Sequence, residues 1–158
     1  MNASMPELKV CFGKLGFTQV KTVLSSGNVV FTAASRPERQ LAGCIESGLA
    51  KHLPRGFPVI VRSQEHLLSL LDADPYAAFR ISRQEKRVVT FLAQPHRGSL
   101  SLPMKMEGAR ILVVEGNDVF SAYVPGDRGP VFMTFIEKTF GKSVTTRTWG
   151  TVGKCAVA

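Results

Sequence analysis

Thr18 to Ala33 reads TQVKTVLSSGNVVFTA. Valine, threonine and phenylalanine dominate both flanks, and such side chains suit a pleated, half-buried surface. Ser26, Gly27 and Asn28 interrupt them, and Gly and Asn accept the positive φ that a tight reversal demands. The segment reads as a β-hairpin turning at Ser26–Asn28. A lone hairpin cannot bury its apolar face, so its neighbours must supply the cover.

Those neighbours read as helices. Ser4–Glu7 (SMPE) and Ser35–Glu38 (SRPE) share one pattern. In a capping box, serine caps the helix and glutamate three residues on reaches back to the cap N–H. Proline in the first turn gives up a donor that would go unused there. After the first box, Leu8, Cys11, Phe12 and Leu15 fall at i, i+3, i+4 and i+7, one face of a helix closed by Gly16. After the second, Leu41, Ile45 and Leu49 repeat that spacing, and the helix must end before Pro54. Phe57–Arg62 (FPVIVR) is expected to be a further strand, so the first half reads α-β-β-α-β.

The second half opens with a short helix, Gln64–Leu71. Arg87–Ala93 (RVVTFLA) is a strand, and a weak helix is expected around Leu100–Glu107, against Pro103. ARILVVEGNDVFSAYV is a second hairpin, turning at Gly116–Asp118. VFMTFIEKTFG is an apolar helix closed by Gly141. This order resembles a split βαβ unit. The fold class expected is α+β: two tandem ferredoxin-like subdomains with antiparallel sheets, residues 1–62 and 63–158, the first lacking its first strand. A central strand missing from a sheet leaves backbone groups unpaired.

VTTRTWGTV, Val144–Val152, holds the chain's one tryptophan. Thr145 or Thr146 reads as an N-cap. Trp149, Val152 and Ala156 then form an apolar stripe. Arg147 would lie in the first helical turn, the wrong end for a cation, where exposed N–H groups favour an anion.

The chain has 158 residues, 44% hydrophobic and 20% charged, enough to bury a core. There is no apolar run long enough to span a bilayer and no secretory signal pattern. Three cysteines, an odd number without CxxC spacing, suit a cytoplasmic protein with reduced thiols. Cys11 and Cys44 sit on apolar helix faces as small hydrophobes. His52, His66 and His96 lack metal-ligand spacing, so no metal is expected. Dinucleotide, P-loop, zincin and nucleophile-elbow motifs are absent, so neither a cofactor nor a reaction is indicated. The net charge is +8 with a pI near 9.8. Such a balance favours anionic partners, nucleic acid or a phosphorylated small molecule. The dense basic cluster is RISRQEKR, Arg80–Arg87, which also reads as a solvated loop and strand entry.

LGFTQVKTVLSSGNVVF (Leu15–Phe31) and FIEKTFGKSVTTRTWGTV (Phe135–Val152) resemble the signatures of a bacterial domain-of-unknown-function family, number sixteen-ninety-seven. The resemblance runs along nearly the whole chain and implies two ferredoxin-like subdomains in tandem. It also marks three departures. Relatives usually begin with a strand and a glycine-rich loop, and here only MNAS precedes the first helix. A GRSK-like segment is replaced by DRGP, Asp127–Pro130, which keeps Arg128. Thr148 and Gly150 stand where asparagines are common. The expectation is an internal start or an N-terminally truncated copy.

Two functions follow. The first is a binding module for an anionic ligand, nucleic acid or a phosphorylated metabolite, with Ser26, Asn28, Arg128 and Arg147 as candidate ligand-binding residues. The alternative is an enzyme of unknown reaction, with a polar pocket between the halves impaired by the missing N-terminus. Against RNA, the strands lack the interleaved aromatics of an RNA-recognition sheet. An exposed sheet edge would also permit a homo-oligomer.

Overall fold

The structure, a computed structural model, describes residues 3–25, 27–126 and 131–158. It is a mixed α+β chain with antiparallel sheets. The chain divides into two compact units: Met1–Leu68 with Gly153–Ala158, and Ser69–Val152.

The first unit opens on helix α1, Met5–Lys14. Its capping box forms as the sequence predicts: Glu7 N–H donates to Ser4 Oγ at 3.2 Å, and Ser4 N–H donates to Glu7 Oε2 at 3.3 Å. Gly16 closes it with φ +89°, a value that only glycine adopts freely. The hairpin follows as β1, Thr18–Val23, and β2, Asn28–Thr32. A register shift lies between Thr18 and Lys21, where Gln19 has φ 52°.

Helix α2 spans Glu38–His52, and here the second box fails. The helix begins at Glu38 with Pro37 at the cap, and no side chain caps it. Arg36 precedes a proline and is pushed towards extended backbone, so the helix cannot start at Ser35. Glu38 is used elsewhere: its Oε2 accepts Ser63 N–H at 2.7 Å. Glu46 Oε1 likewise accepts Val59 N–H at 2.8 Å. Among the described residues FPVIVR joins no sheet, contrary to expectation, and one of its donors, Val59 N–H, goes to Glu46 instead. Phe57, Val59 and Val61 do turn inward at alternate positions. The core of this unit is Leu8, Cys11, Phe12, Phe17, Ile45 and Leu49. Phe12, Phe17 and Phe31 form an aromatic triangle with centroids 4.7 to 5.9 Å apart. Gly48 lets α1 and α2 approach closely, because a Cβ there would meet the Leu15 side chain.

Helix α3, Gln64–Ala73, leads to a short 3-10 helix, Pro75–Ala78. The second unit is built on β3, Lys86–Leu92; β4, Met104–Met106; β5, Ala109–Glu115; β6, Asp118–Tyr123; and β7, Val144–Thr148. They form one antiparallel sheet in the order β4-β5-β6-β3-β7. Helix α4, Val131–Phe140, covers one face and ends at Gly141 with φ +87°. Phe132, Phe135 and Ile136 pack on Val88, Leu92, Ala109, Ile111 and Val119. Tyr123 stacks on Phe132 at 4.5 Å.

Two expectations fail in this unit. No helix forms around Leu100–Glu107. Pro103 holds Leu102 out of helical backbone, and β4 pairs with β5 instead. Glu107 and Gly108 both have positive φ, 41° and 86°, as a two-residue hairpin turn needs. The second correction concerns VTTRT. It is strand β7, not a capped helical turn, because a run of β-branched residues also satisfies the open edge of β3. Helix α5 begins at Trp149 and runs to Val157, three residues later than an N-cap at Thr145 implies. Thr148 Oγ1 accepts Thr151 N–H at 3.3 Å and supplies the cap. The stripe holds: Val152 and Ala156 are buried.

Candidate anion-binding cleft

The feature with the most chemistry lies in the second unit and is built from local turn geometry. Asp74 sits in left-handed backbone, φ 40° and ψ 79°, and its Oδ1 accepts Tyr76 N–H at 3.2 Å. That Asx-type contact starts the 3-10 turn and drives Tyr76 inward. Tyr76 is 2% exposed, and its hydroxyl donates to the Val88 carbonyl at 2.6 Å. Its ring meets Trp149 edge-on at 5.1 Å and Phe120 at 5.9 Å. Burial first, offset in part by the Arg87 charge, pushes the Tyr76 phenol far above its ordinary range. Tyr76 is therefore a neutral ring and hydrogen-bond donor, never a base.

The opposite wall is the turn Ser82–Glu85. Ser82 N–H donates to Glu85 Oε1 at 3.1 Å, and Glu85 N–H donates to the Ser82 carbonyl at 3.1 Å. Arg110, from β5, grips the same carboxylate with two nitrogens and bonds the Arg80 carbonyl at 2.9 Å. Burial works against ionisation of Glu85. The Ser82 N–H and Arg110 outweigh it together, so the carboxyl lies below the usual glutamate range.

Between the walls is a hollow of about 390 Å³ lined by Asp74, Tyr76, Ala77, Ile81, Ser82, Arg83, Glu85 and Arg87. That volume falls in the range of small-molecule sites. Arg87 lies over the Tyr76 ring, 5.9 Å from its centre, which holds its guanidinium by a cation–π contact. Arg83 and Arg87 form no ion pair among the described residues. Glu85 is neutralised by Arg110, so the formal charges left at the cleft are two cations and the Asp74 carboxylate.

Of the residues singled out from the sequence, Ser26 and Arg128 lie outside the described residues. Asn28 is in the first unit, where its Nδ2 donates to the Val23 carbonyl at 3.0 Å and closes the hairpin. Arg147 is in the second unit, on β7 opposite Val89, and its Nη1 donates to the Thr146 carbonyl at 2.8 Å. It lies on a strand, one residue before the Thr148 cap of α5, and not in the first helical turn where the sequence put it. Sequence reasoning passed over Tyr76 and Asp74, and read Arg83 and Arg87 as a solvated loop. An Asp-Pro step before an aromatic residue was the available signal. No group of three or more His, Cys, Asp or Glu suited to a metal occurs among the described residues.

A model of a protein family of unknown function, DUF1697, matches residues 1–120. The chain belongs to this family. The DUF1697 match covers β1, β2 and the whole cleft. No curated protein matches. Among solved structures, the chain is similar to the conserved bacterial protein SP0830 from Streptococcus pneumoniae. The likeness has a TM-score of 0.68 at 19% identity, and covers 99% of this chain and 88% of that one. At that identity it speaks for the fold alone. No helix among the described residues is long and apolar enough to cross a membrane.

Proposed function

We propose that this chain is a binding module for a phosphorylated small molecule, held in the cleft between Tyr76 and Arg83. One observation carries the reading: two guanidiniums free of ion pairs among the described residues line a hollow of ligand size. Phosphate oxygens accept from arginine in short, charge-assisted bonds. The Arg87–Tyr76 contact restrains one cation in advance, which lowers the entropy lost on binding. A hollow of this size accommodates one small ligand, while a nucleic acid would call for an extended basic track. Arg147 remains a proposed contact for a longer anionic ligand on the second unit, and Asn28 for a separate one on the first.

A ferredoxin-like architecture belongs to the same proposal. The strand order of the second unit supports it, with β7, β3, β6 and β5 in the sequence of a split βαβ sheet. A cytoplasmic location is in keeping with three cysteines that form no disulfide among the described residues, Cys11 among them buried.

The test is calorimetric titration with nucleoside monophosphates, inorganic pyrophosphate and a labelled oligonucleotide, each at two salt concentrations. Binding of a small phosphate, weakened about tenfold or more by R87A and by R83A, supports the reading. Oligonucleotide binding with a steep salt slope that R147A reduces and R87A leaves alone would sink it.

A further inference from the structure

Asp74 lines the hollow of the second unit together with Arg83 and Arg87, and none of the three forms an ion pair among the described residues. The other carboxylate there, Glu85, is already met by Arg110. The two guanidiniums suit a phosphate, but the Asp74 carboxylate repels one. It is held in place: Oδ1 accepts Tyr76 N–H at 3.2 Å, and the residue is half-buried in left-handed backbone at φ 40°. The turn needs only a side-chain acceptor, which asparagine supplies equally well. The negative charge is therefore more than the fold requires. A carboxylate offers about four acceptor positions, and the Tyr76 contact leaves most of them unused. The Tyr76 phenol is pushed up first by burial, pulled back by Arg87 and pushed further by Asp74, so cation and anion act on one hydroxyl.

We infer, resting on the phosphate site proposed above, that the ligand is an aliphatic phosphate monoester carrying a primary ammonium group. Its phosphate meets Arg83 and Arg87, and its ammonium meets Asp74. The signs match: a phosphate monoester carries about −1.5 to −2 at neutral pH, and an alkyl ammonium stays protonated there. Both contacts are charge-assisted, the stronger kind of hydrogen bond. Asp74 also discriminates. A phosphate that brings no ammonium, or that brings a second phosphate, sets like charges together, and such repulsion is how a site rejects wrong ligands. The walls argue for an aliphatic body. Ala77 and Ile81 line the hollow, and Tyr76 is the lining aromatic ring among the described residues. That ring is 2% exposed and lies under the Arg87 guanidinium, so a nucleobase has no free face to stack on.

Calorimetric titration at neutral pH tests this with the chain of residues 1–158. The probes are aminoalkyl phosphates of increasing chain length, each against the alkyl phosphate of equal length, so that a pair differs only in ammonium for methyl. At the best length the aminoalkyl phosphate should bind about tenfold tighter or more. D74N should abolish that preference and leave alkyl phosphate binding intact or stronger. Asparagine keeps an acceptor for Tyr76 N–H and tolerates left-handed backbone, so the turn survives the change. The wild-type comparison needs no variant and decides by itself if D74N does not fold. Equal affinity within every pair overturns the ammonium assignment and leaves the phosphate site standing. So does a preference that D74N retains. Binding of neither member of any pair overturns the phosphate site as well.

Discussion

Arg110 on β5 grips Glu85 with two nitrogens, Nε to Oε2 at 3.0 Å and Nη2 to Oε1 at 2.9 Å, while the same Nη2 reaches the Arg80 carbonyl. One guanidinium thus ties the turn that walls the cleft to the sheet behind it. The pair is mostly sheltered, with side-chain exposures of 21% and 11%. R110A leaves that carboxylate half-buried without its cation. The expected loss is about 1–3 kcal/mol of stability, together with loss of ligand binding at the cleft. Denaturant melts that coincide with wild type would contradict the clamp.

The same pair sets an acid dependence. Glu85 ionises at a lower pH in the folded chain than in the unfolded one. Its contribution is therefore complete above the unfolded value, about pH 4.5, and is lost as the pH falls through the lower folded value. The stability difference between wild type and E85Q should be flat from neutral pH down to about pH 5 and shrink below it. A difference that stays constant into the acid limb would show that the carboxyl gains nothing from Arg110.

How much of this was legible in the sequence depends on the range of the forces involved. SMPE predicted its helix because a capping box is complete within four residues. The hairpins at Thr18–Ala33 and Ala109–Val124 were legible for the same reason, with alternation and turn chemistry close together. SRPE carried the same letters and failed, since Arg36 before Pro37 could not be helical and Glu38 found Ser63 instead. VTTRT was ambiguous by nature: threonines serve both as caps and as strand residues, and the vacant edge of β3 decided. The cleft was least legible. Its cluster Arg80–Arg87 becomes a wall only through Arg110, 25 residues beyond Glu85, and through Tyr76 folding under Arg87.

Tyr76 links the cleft to the aromatic cluster. Y76F removes the 2.6 Å bond to Val88 O and leaves that buried carbonyl with one partner fewer. A loss of about 1–2 kcal/mol is expected. Trp149 lies 5.1 Å away, so its fluorescence should report the change directly. Because burial holds the phenol neutral, alkaline absorbance titrations of wild type and Y76F should coincide through the ordinary phenol range, around pH 10. Loss of a phenolate signal in that range on mutation would show Tyr76 to be solvated.

Two glycines of α2 separate helix propensity from packing. A Cβ at Gly43 meets nothing within 4 Å, so G43A should stabilise by up to about 1 kcal/mol through propensity alone. A Cβ at Gly48 would collide with the Leu15 side chain, and overpacking of that kind costs about 1–3 kcal/mol. G48A should therefore be neutral at best, and destabilising where Leu15 cannot move. Thermal melts of the two variants decide it: equal stabilisation by both would mean that α1 and α2 do not approach closely at Gly48.

Thr148 is the hinge between β7 and α5, and its hydroxyl does the work that the sequence assigned to Thr145 or Thr146. It accepts Thr151 N–H at 3.3 Å and contacts Thr151 Oγ1 at 3.0 Å. Alanine at an N-cap costs about 1 kcal/mol, and serine keeps most of the bond. T148A should lose roughly that amount by denaturant melts, and T148S should recover it. T145A sits mid-strand opposite Phe91, where the loss is confined to strand preference, a few tenths of a kcal/mol. The contrast also tests the boundary between the two elements. If α5 began where the apolar stripe and the threonine run first suggested, T145A would cost as much as T148A. With the helix starting at Trp149, Thr145 has no orphan N–H within reach, and the two variants must separate.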